Sequence, residues 1–569
     1  MKRPYLATLL LLFITTPAMF AQSGNTQNSL LPEIDPQDIE IRSEFRARFP
    51  GIRRQPILGF NPKPRIFRID PNRVPFMESD KDAVASIALT QLDRPEPPSK
   101  SILESPSRTT ALIKAGVGSF ITPELEAYAL RRLNQHSIAS LNIDFSSSDG
   151  HLDDQNSGFR FLDINGVYGT KLNSGARLSA KAGIFSDFNH LFDLNNVPST
   201  TPNTPEKEYA GFNAGFILEN NKNAIEGWEL FANASVLEVD LMAPVGALGG
   251  IQKEQFIQTG IIKKWAGSSL HDVLSLKINA DGGNYTIENS GDTQWINTSA
   301  AFGYSTLFNY ETEIEVEGGV AYISDGFRNK ALFVSEGTLN HTVKDGFNLL
   351  GQIYTRPEMQ SVWEHHQNNR FLNVSSAIQF QYVFGVSGGV EFSPIQSTKL
   401  FGNISYKAID NHAFYSRETR NFGGTPAQTF YELNYADASN FKLEFGVVQQ
   451  IVSDKIWFNG SVYAQRPELK SGGDIPFRER LGAEGTFSFK PIDALTINSW
   501  TQFAGEREDP GSAQNLDGYL LVNAGADYKI NEKFGVYMKV LNILGQNYEI
   551  WEGYQERPFQ IFGGIKVTL

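Results

Sequence analysis

The C-terminal run alternates strictly between two kinds of side chain. Phe559, Ile561, Gly563, Ile565, Val567 and Leu569 fall on one face, while Gln560, Phe562, Gly564, Lys566 and Thr568 fall on the other. A period of two over such a run specifies a β-strand with one oily and one wet side. The same pattern recurs along the chain. Leu141, Ile143 and Phe145 alternate with Asn142 and Asp144, and Leu178, Ala180, Ala182 and Ile184 with Arg177, Ser179 and Lys181. Leu274, Leu276, Ile278 and Ala280 alternate with Ser275, Lys277, Asn279 and Asp281. Ile314 and Val316 sit between Glu313, Glu315 and Glu317, and Phe441, Leu443, Phe445 and Val447 between Lys442 and Glu444. In these windows the apolar face carries no charge and the other carries many. A Lys or Arg facing lipid at mid-depth costs about 2–4 kcal/mol, whereas in a wet lumen it costs little. A repeated charge-free face therefore specifies a closed all-β transmembrane antiparallel barrel rather than a soluble solenoid or a row of sandwiches.

The connections point the same way. Short polar turns at 172–175, 309–312, 393–397, 452–455, 490–493 and 529–533 alternate with longer stretches at 188–206, 240–252, 359–372, 413–439, 467–477 and 505–516. Short turns at one end and long loops at the other are the rule for outer-membrane barrels, the short ones being periplasmic. With the C-terminus placed in the periplasm, the rhythm gives about 22 strands, an even number.

Aromatics make up 12% of the 569 residues and mean hydropathy is only -0.28, far too polar for a helical membrane protein. The one continuous apolar stretch is Leu9–Ile14. It follows Lys2 and Arg3 and precedes Ala18-Met19-Phe20-Ala21, so residues 1–21 read as a signal peptide cleaved after Ala21. With no cysteine there is neither a disulfide nor an N-terminal lipid anchor on Cys. Residues 22–105 are rich in Pro and Arg and show no sustained period. They form an extended N-terminal extension, with room for a short amphipathic helix near Asp80 to Gln91, and the barrel occupies 106–569. Charge divides along the same line. The chain carries -13, or -15 without Lys2 and Arg3. Within 45–75, Arg46, Arg48, Arg53, Arg54, Lys63, Arg65, Arg68 and Arg73 face Asp70 alone, a net of +7, which leaves -22 on the rest.

Several motifs near the C-terminus resemble a known family. They are Ile475-Pro476-Phe477-Arg478 with Leu481 opening an alternation, Leu516-Asp517-Gly518-Tyr519-Leu520-Leu521-Val522-Asn523, and Val540-Leu541-Asn542-Ile543-Leu544 with Tyr548 and Gly553-Tyr554. In order and spacing they are similar to the terminal strands of TonB-dependent outer-membrane receptors. Upstream, Asn369-Arg370-Phe371-Leu372 and Val390-Glu391-Phe392-Ser393-Pro394 extend the likeness. The resemblance implies a 22-stranded barrel with a globular plug, taking up bulky nutrients with force from an inner-membrane protein. The chain departs from that pattern in three places. The 84 residues from 22 to 105 are fewer than such a plug takes up, they contain no Val-rich box for strand addition to the energising protein, and the chain ends in Leu569 rather than an aromatic residue.

No catalytic, metal or cofactor motif stands out. His365-His366 would point apart on a strand, and Asp149, Asp153 and Asp154 with Gly150 miss the calcium-loop spacing. Neither an enzyme nor a nucleic-acid binder is expected. The partners expected are outer-membrane lipid, a solute of unknown identity and a periplasmic or inner-membrane energising protein. Asp144, Asp281, Glu313, Glu315, Glu317, Glu444, Glu484 and Asp527 fall on the wet face. They form a candidate acidic lumen that the basic segment could enter as a reduced plug; the alternative is a periplasmic arm for a partner. The functional expectation is an outer-membrane barrel of TonB-dependent receptor type for binding or passage of a solute. Its rival is a non-transporting scaffold anchoring a surface or periplasmic complex.

Overall fold

The computed structural model describes residues 109–569 apart from 154–155, 193–205, 222–224, 243–249, 270, 289–290, 374–377, 421–427, 453–454 and 510–514. The signal peptide, the Pro/Arg segment with its basic residues and the stretch near Asp80 to Gln91 lie outside the described residues. Twenty-two antiparallel strands form one closed barrel. Its seam joins the first strand, Thr109–Gly118, to the last, Gln560–Thr568, in a register running from Leu112 opposite Thr568 to Gly118 opposite Phe562. Ala111 N–H donates to Leu569 O at 2.9 Å and Leu569 N–H returns a bond to Ala111 O at 2.8 Å. Closure leaves no barrel edge with unpaired backbone groups, which hydrocarbon would not tolerate. No described helix is long and apolar enough to cross a membrane.

The two-residue alternation maps onto the two faces of the wall. In strand Thr312–Ser324, Val316 and Val320 are 54% and 57% exposed, while Ala321 between Val320 and Tyr322 is fully buried. Phe302 of the neighbouring strand Gly291–Asn309 lies opposite Gly318, so a large outward ring sits beside a glycine. Inward positions carry the charges, and five of their lysines are ion-paired. Lys114 meets Glu126 at 3.1 Å, Lys539 meets Glu124 at 2.5 Å, Lys442 meets Glu444 at 3.0 Å, Lys566 meets Asp527 at 3.6 Å and Lys277 meets Glu317.

Connections at the end that holds the C-terminus are short, at 133–136, 172–176, 310–311, 345–346, 396–397 and 530–533. At the opposite end they lengthen, to 149–158, 359–380, 470–480, 505–518 and 542–559. One sequence expectation fails here. The stretch 413–439 is not a loop: Thr398–Arg420 and Gln428–Val452 are strands of 23 and 25 residues that stay paired almost to their tips. A crossing needs only about 9–11 residues, and the last two barrel strands, Phe534–Leu541 and Gln560–Thr568, have 8 and 9. The wall therefore stands much taller on one side. Its register slips between Ile409 and His412, where Asn411 takes a left-handed φ of +62° and donates its N–H to Asp437 at 2.9 Å. Asn tolerates that conformation, and a bulge bends the strand it interrupts. Beyond it the hairpin carries Ala413, Tyr431 and Leu433 into a buried cluster at the mouth.

The lipid-facing assignment predicts opposite responses to the same residue. Phe302→Arg should destabilise the barrel by about 2–4 kcal/mol in refolding titrations into lipid vesicles, while lumen-facing Thr338→Arg should cost less than about 1 kcal/mol. Equal losses at the two sites would contradict the assignment.

Candidate functional site

Where the structure describes them, long loops at the end opposite the short turns pack into a buried cluster. The decisive one is 359–380. Glu358 and Gln381 are direct cross-strand partners, so a two-residue turn would suffice to join their strands. The chain instead inserts a folded segment that crosses the mouth.

Its helix, Val362–Asn368, begins with a capping box. Glu364 N–H donates to Ser361 Oγ at 3.2 Å, and Ser361 N–H donates to the Glu364 carboxylate at 2.7 Å. A helix this short does not hold itself together in water, and the barrel wall completes it. Buried Glu254, from strand Gly250–Ala266, accepts Val362 N–H at 3.0 Å and Trp363 N–H at 3.4 Å, two donors that the first helical turn leaves free. Trp363 lies on Phe185 with ring centroids 3.6 Å apart and meets Tyr209 edge-on. His366 stacks on Tyr209 at 5.5 Å, and its Nδ1 lies 3.1 Å from Lys207 Nζ. Lys207 donates to Leu372 O at 3.2 Å.

After the helix the segment crosses to the tall side. Leu372–Asn373 adds in parallel to Tyr431–Glu432, and Phe371 stacks on Tyr554 at 3.7 Å with 16° between ring planes. Arg370 donates to both oxygens of Glu556 at 3.1 Å. Arg417 meets Glu552 at 2.8 Å, and the Tyr431 hydroxyl donates to Glu552 O at 2.8 Å. On its return the segment is pinned by Phe380 N–H donating to Asp325 at 3.0 Å and by Arg328 donating to Phe380 O. Val362, Phe371, Leu372, Ile378 and Phe380 are buried in one cluster with Phe185, Tyr209, Trp295, Tyr431 and Tyr554. The result is a cap, an aromatic layer that spans the mouth from wall to wall. Aromatic pairs of this kind add about 0.5–1.5 kcal/mol each beyond their buried area.

The electrostatics suit a closed, dry layer. Burial pushes His365 down to about 4, helped by His412, and holds His366 well below the usual histidine range with Lys207 beside it. Burial and then the Asp509 carboxyl push Glu552 up to about 7 against the pull of Arg417. No group of three or more metal-ligating side chains occurs among the described residues.

Sequence reasoning placed His365-His366 in an outer loop; both lie in the long 359–380 connection, buried on its helix rather than extended, each with its own partner, Tyr415 for His365 and Lys207 for His366. The proposed acids are dispersed. Glu313, Glu315 and Glu317 lie on one strand and Asp527 near the seam. Glu444 and Glu484 come together, lining a cavity of about 520 Å³ in the lumen wall. Arg46, Arg48, Arg53, Arg54, Lys63, Arg65, Arg68 and Arg73 lie outside the described residues. The cap itself escaped sequence reasoning. Its one local signal was Ser361-Val362-Trp363-Glu364, a capping box inside a supposed loop.

No protein-family model and no curated protein matches the chain. Solved structures do. The ferric-catecholate import receptor Fiu from E. coli K12 aligns at a TM-score of 0.60 and 11% identity over 81% of this chain and 82% of that one. The siderophore receptor PirA from Acinetobacter baumannii gives 0.62 and 9% over 81% and 80%. The outer-membrane ferripyoverdine receptor of Pseudomonas aeruginosa gives 0.62 and 12% over 81% and 72%. The fold is that of the TonB-dependent receptor barrel. The cap sits at the end of this barrel opposite the short turns.

The cap's histidines predict how it responds to acid. Each is neutral when buried but takes up a proton near pH 6.5 once released. The open loop therefore binds more protons than the closed one below that pH. The histidine contribution to closure is complete above about pH 6.5 and declines as the pH falls toward about 4. Glu254 and Glu552, each pushed up to about 7 by burial, act in the opposite sense because closure keeps their protons, so the histidine part is read by difference. Hydrogen exchange of the 362–368 amides, corrected for intrinsic rates, should lose more protection between pH 6.5 and 4 in the native chain than in the double substitution His365→Gln, His366→Gln; the same pH dependence in both would contradict the account.

Proposed function

We propose that this chain is an outer-membrane barrel of TonB-dependent receptor type that binds a solute at the cell surface and lets it pass, with the 359–380 cap as the outer closure. The observation that carries this reading is the join between Glu358 and Gln381. A turn would have served the barrel, yet a folded segment spans the mouth and is tied to both walls. Long ordered loops with no role in their scaffold are where function concentrates. Below the cap the wall is polar and charged, a surface suited to a hydrated solute. An energising partner would supply the work of displacing a cap held by so many contacts.

The second reading, a non-transporting scaffold, draws on the same cap, since a permanently shut mouth suits an anchor. Planar-bilayer recordings of the purified full chain separate the two. Replacing 359–380 with an Asn-Gly turn should raise conductance several-fold over the native chain. Unchanged conductance would contradict the cap's role as closure. A native chain that passes no solute in proteoliposomes, with or without cell-envelope energising proteins, would favour the scaffold.

A further inference from the structure

Lys407, like Lys181 on another strand, departs from the pairing common in the lumen. Lys114, Lys277, Lys442, Lys539 and Lys566 each hold a carboxylate, as expected for cations in a confined, acidic barrel. Lys407 projects from strand Thr398–Arg420 between Gly385 on one side and Asn440 on the other, and has no ion pair or hydrogen bond from its ammonium among the described residues. Arg478, lining the same cavity, likewise has no partner for its guanidinium among them.

Arg478 is held there by strained backbone. Phe477 before it takes a φ of +60°, a conformation that costs a bulky residue about 1–3 kcal/mol. Its N–H is fixed to Glu508 O at 3.0 Å, and its ring is wedged against Tyr431 and Trp551 under the cap. Strain of this kind persists only where surrounding contacts over-determine it. Here the turn sends Phe477 into the cap and sets Arg478 at the cavity.

The cavity is about 520 Å³, within the range that accommodates small ligands. Its wall is a ladder of amides. Gln352, Asn403, Asn440 and Gln465 line it with Tyr354 and Tyr463. Asn440 Nδ2 donates to Gln465 Oε1 at 3.1 Å, while its Oδ1 is buried with no hydrogen-bond partner among the described residues. The carboxylates are mostly committed: Glu444 holds Lys442 at 3.0 Å, and Glu479 accepts from the Tyr463 hydroxyl at 2.8 Å and from Gln465 at 3.1 Å. Glu484 alone is uncommitted, against two uncommitted cations.

We infer that this cavity is a subsite for an acidic, hydroxyl-rich solute, with a carboxylate held between Lys407 and Arg478 and hydroxyls held by the amide ladder. Two unpaired cations select an anion. Side-chain amides, which both donate and accept, suit hydroxyls, and the tyrosines offer flat faces to a sugar ring. The inference deepens the solute-binding reading and rests on it.

Calorimetry of the full chain in detergent at low salt tests it, with trigalacturonate as the acidic probe and galactotriose as its neutral counterpart. The native chain and the variant with an Asn-Gly turn in place of 359–380 are both titrated, so a shut cap does not mask the site. Trigalacturonate should bind at least one of them, more weakly as salt rises, and galactotriose much less. Lys407→Gln and Arg478→Gln should each weaken trigalacturonate about tenfold or more, the loss expected for a charge-assisted bond. Lys566→Gln, which removes a paired lumen lysine near the seam, should leave binding unchanged. Heat-modifiable migration of every variant confirms a folded barrel. No preference for the acidic probe in either chain, or full affinity in both cavity variants, would overturn the subsite. Binding without flux in proteoliposomes would strike the passage reading and leave the subsite standing; flux without this binding would do the reverse.

Discussion

A backbone inside hydrocarbon has no water to turn to, and every N–H and C=O must find a partner within the protein. That requirement organises this molecule. It forces the first strand onto the last, where Ala111 and Leu569 exchange hydrogen bonds across the seam. It also keeps the pairing continuous around the ring, and continuous pairing fixes which way each side chain points. Phe302, Val316 and Val320 then have no choice but to meet lipid, and Glu317 and Lys277 no choice but to meet each other inside.

Closing a sheet of 22 strands solves the backbone problem and creates another, because a ring this wide encloses more space than its inward side chains fill. The outer end is answered by the chain's own loops. The tall hairpin Thr398–Val452 bends at Asn411, the 359–380 segment lies across the mouth, and Tyr554 and Trp551 meet them from the opposite connection. Buried polar groups in that layer, Glu254 and Lys207 among them, are hydrogen-bonded to the segment they hold. At these two groups position and partner are thus specified together. On the proposed function, the contacts across the mouth are those a solute, a partner or an applied force would have to release.

Much of the wall was legible in the sequence, because lipid contact imposes a two-residue rhythm that local reading detects. The strand around Glu313–Glu317 and the C-terminal strand are plain in this way, and the outer-receptor likeness lay in short motifs near the end. The cap was illegible for the opposite reason. Its helix draws stability from Glu254, more than a hundred positions away, and its aromatics from strands spread around the ring. The 413–439 stretch, with Asn421, Gly423, Gly424 and Pro426 near its middle, reads as a loop, yet 413–420 and 428–439 stay in the sheet because they pair with neighbouring strands. Ion pairing was equally hidden. Lys277 and Glu317 sit two strands apart with no periodic signal linking them, so an acidic lumen read from the sequence is, in three dimensions, one of mixed charge.

The central claim, that lipid touches every second residue of a closed wall, is open to a direct measurement because the chain has no cysteine. Single spin labels placed one at a time from Thr312 to Ser324, in the barrel reconstituted in vesicles, report contact with oxygen dissolved in lipid and with a water-soluble nickel chelate. The account predicts that oxygen exposure is high at 314, 316, 318, 320 and 322 and low between, with the chelate reporting at Glu313 and Glu315. Exposure that varied smoothly along the segment, or that repeated every three to four residues, would contradict it.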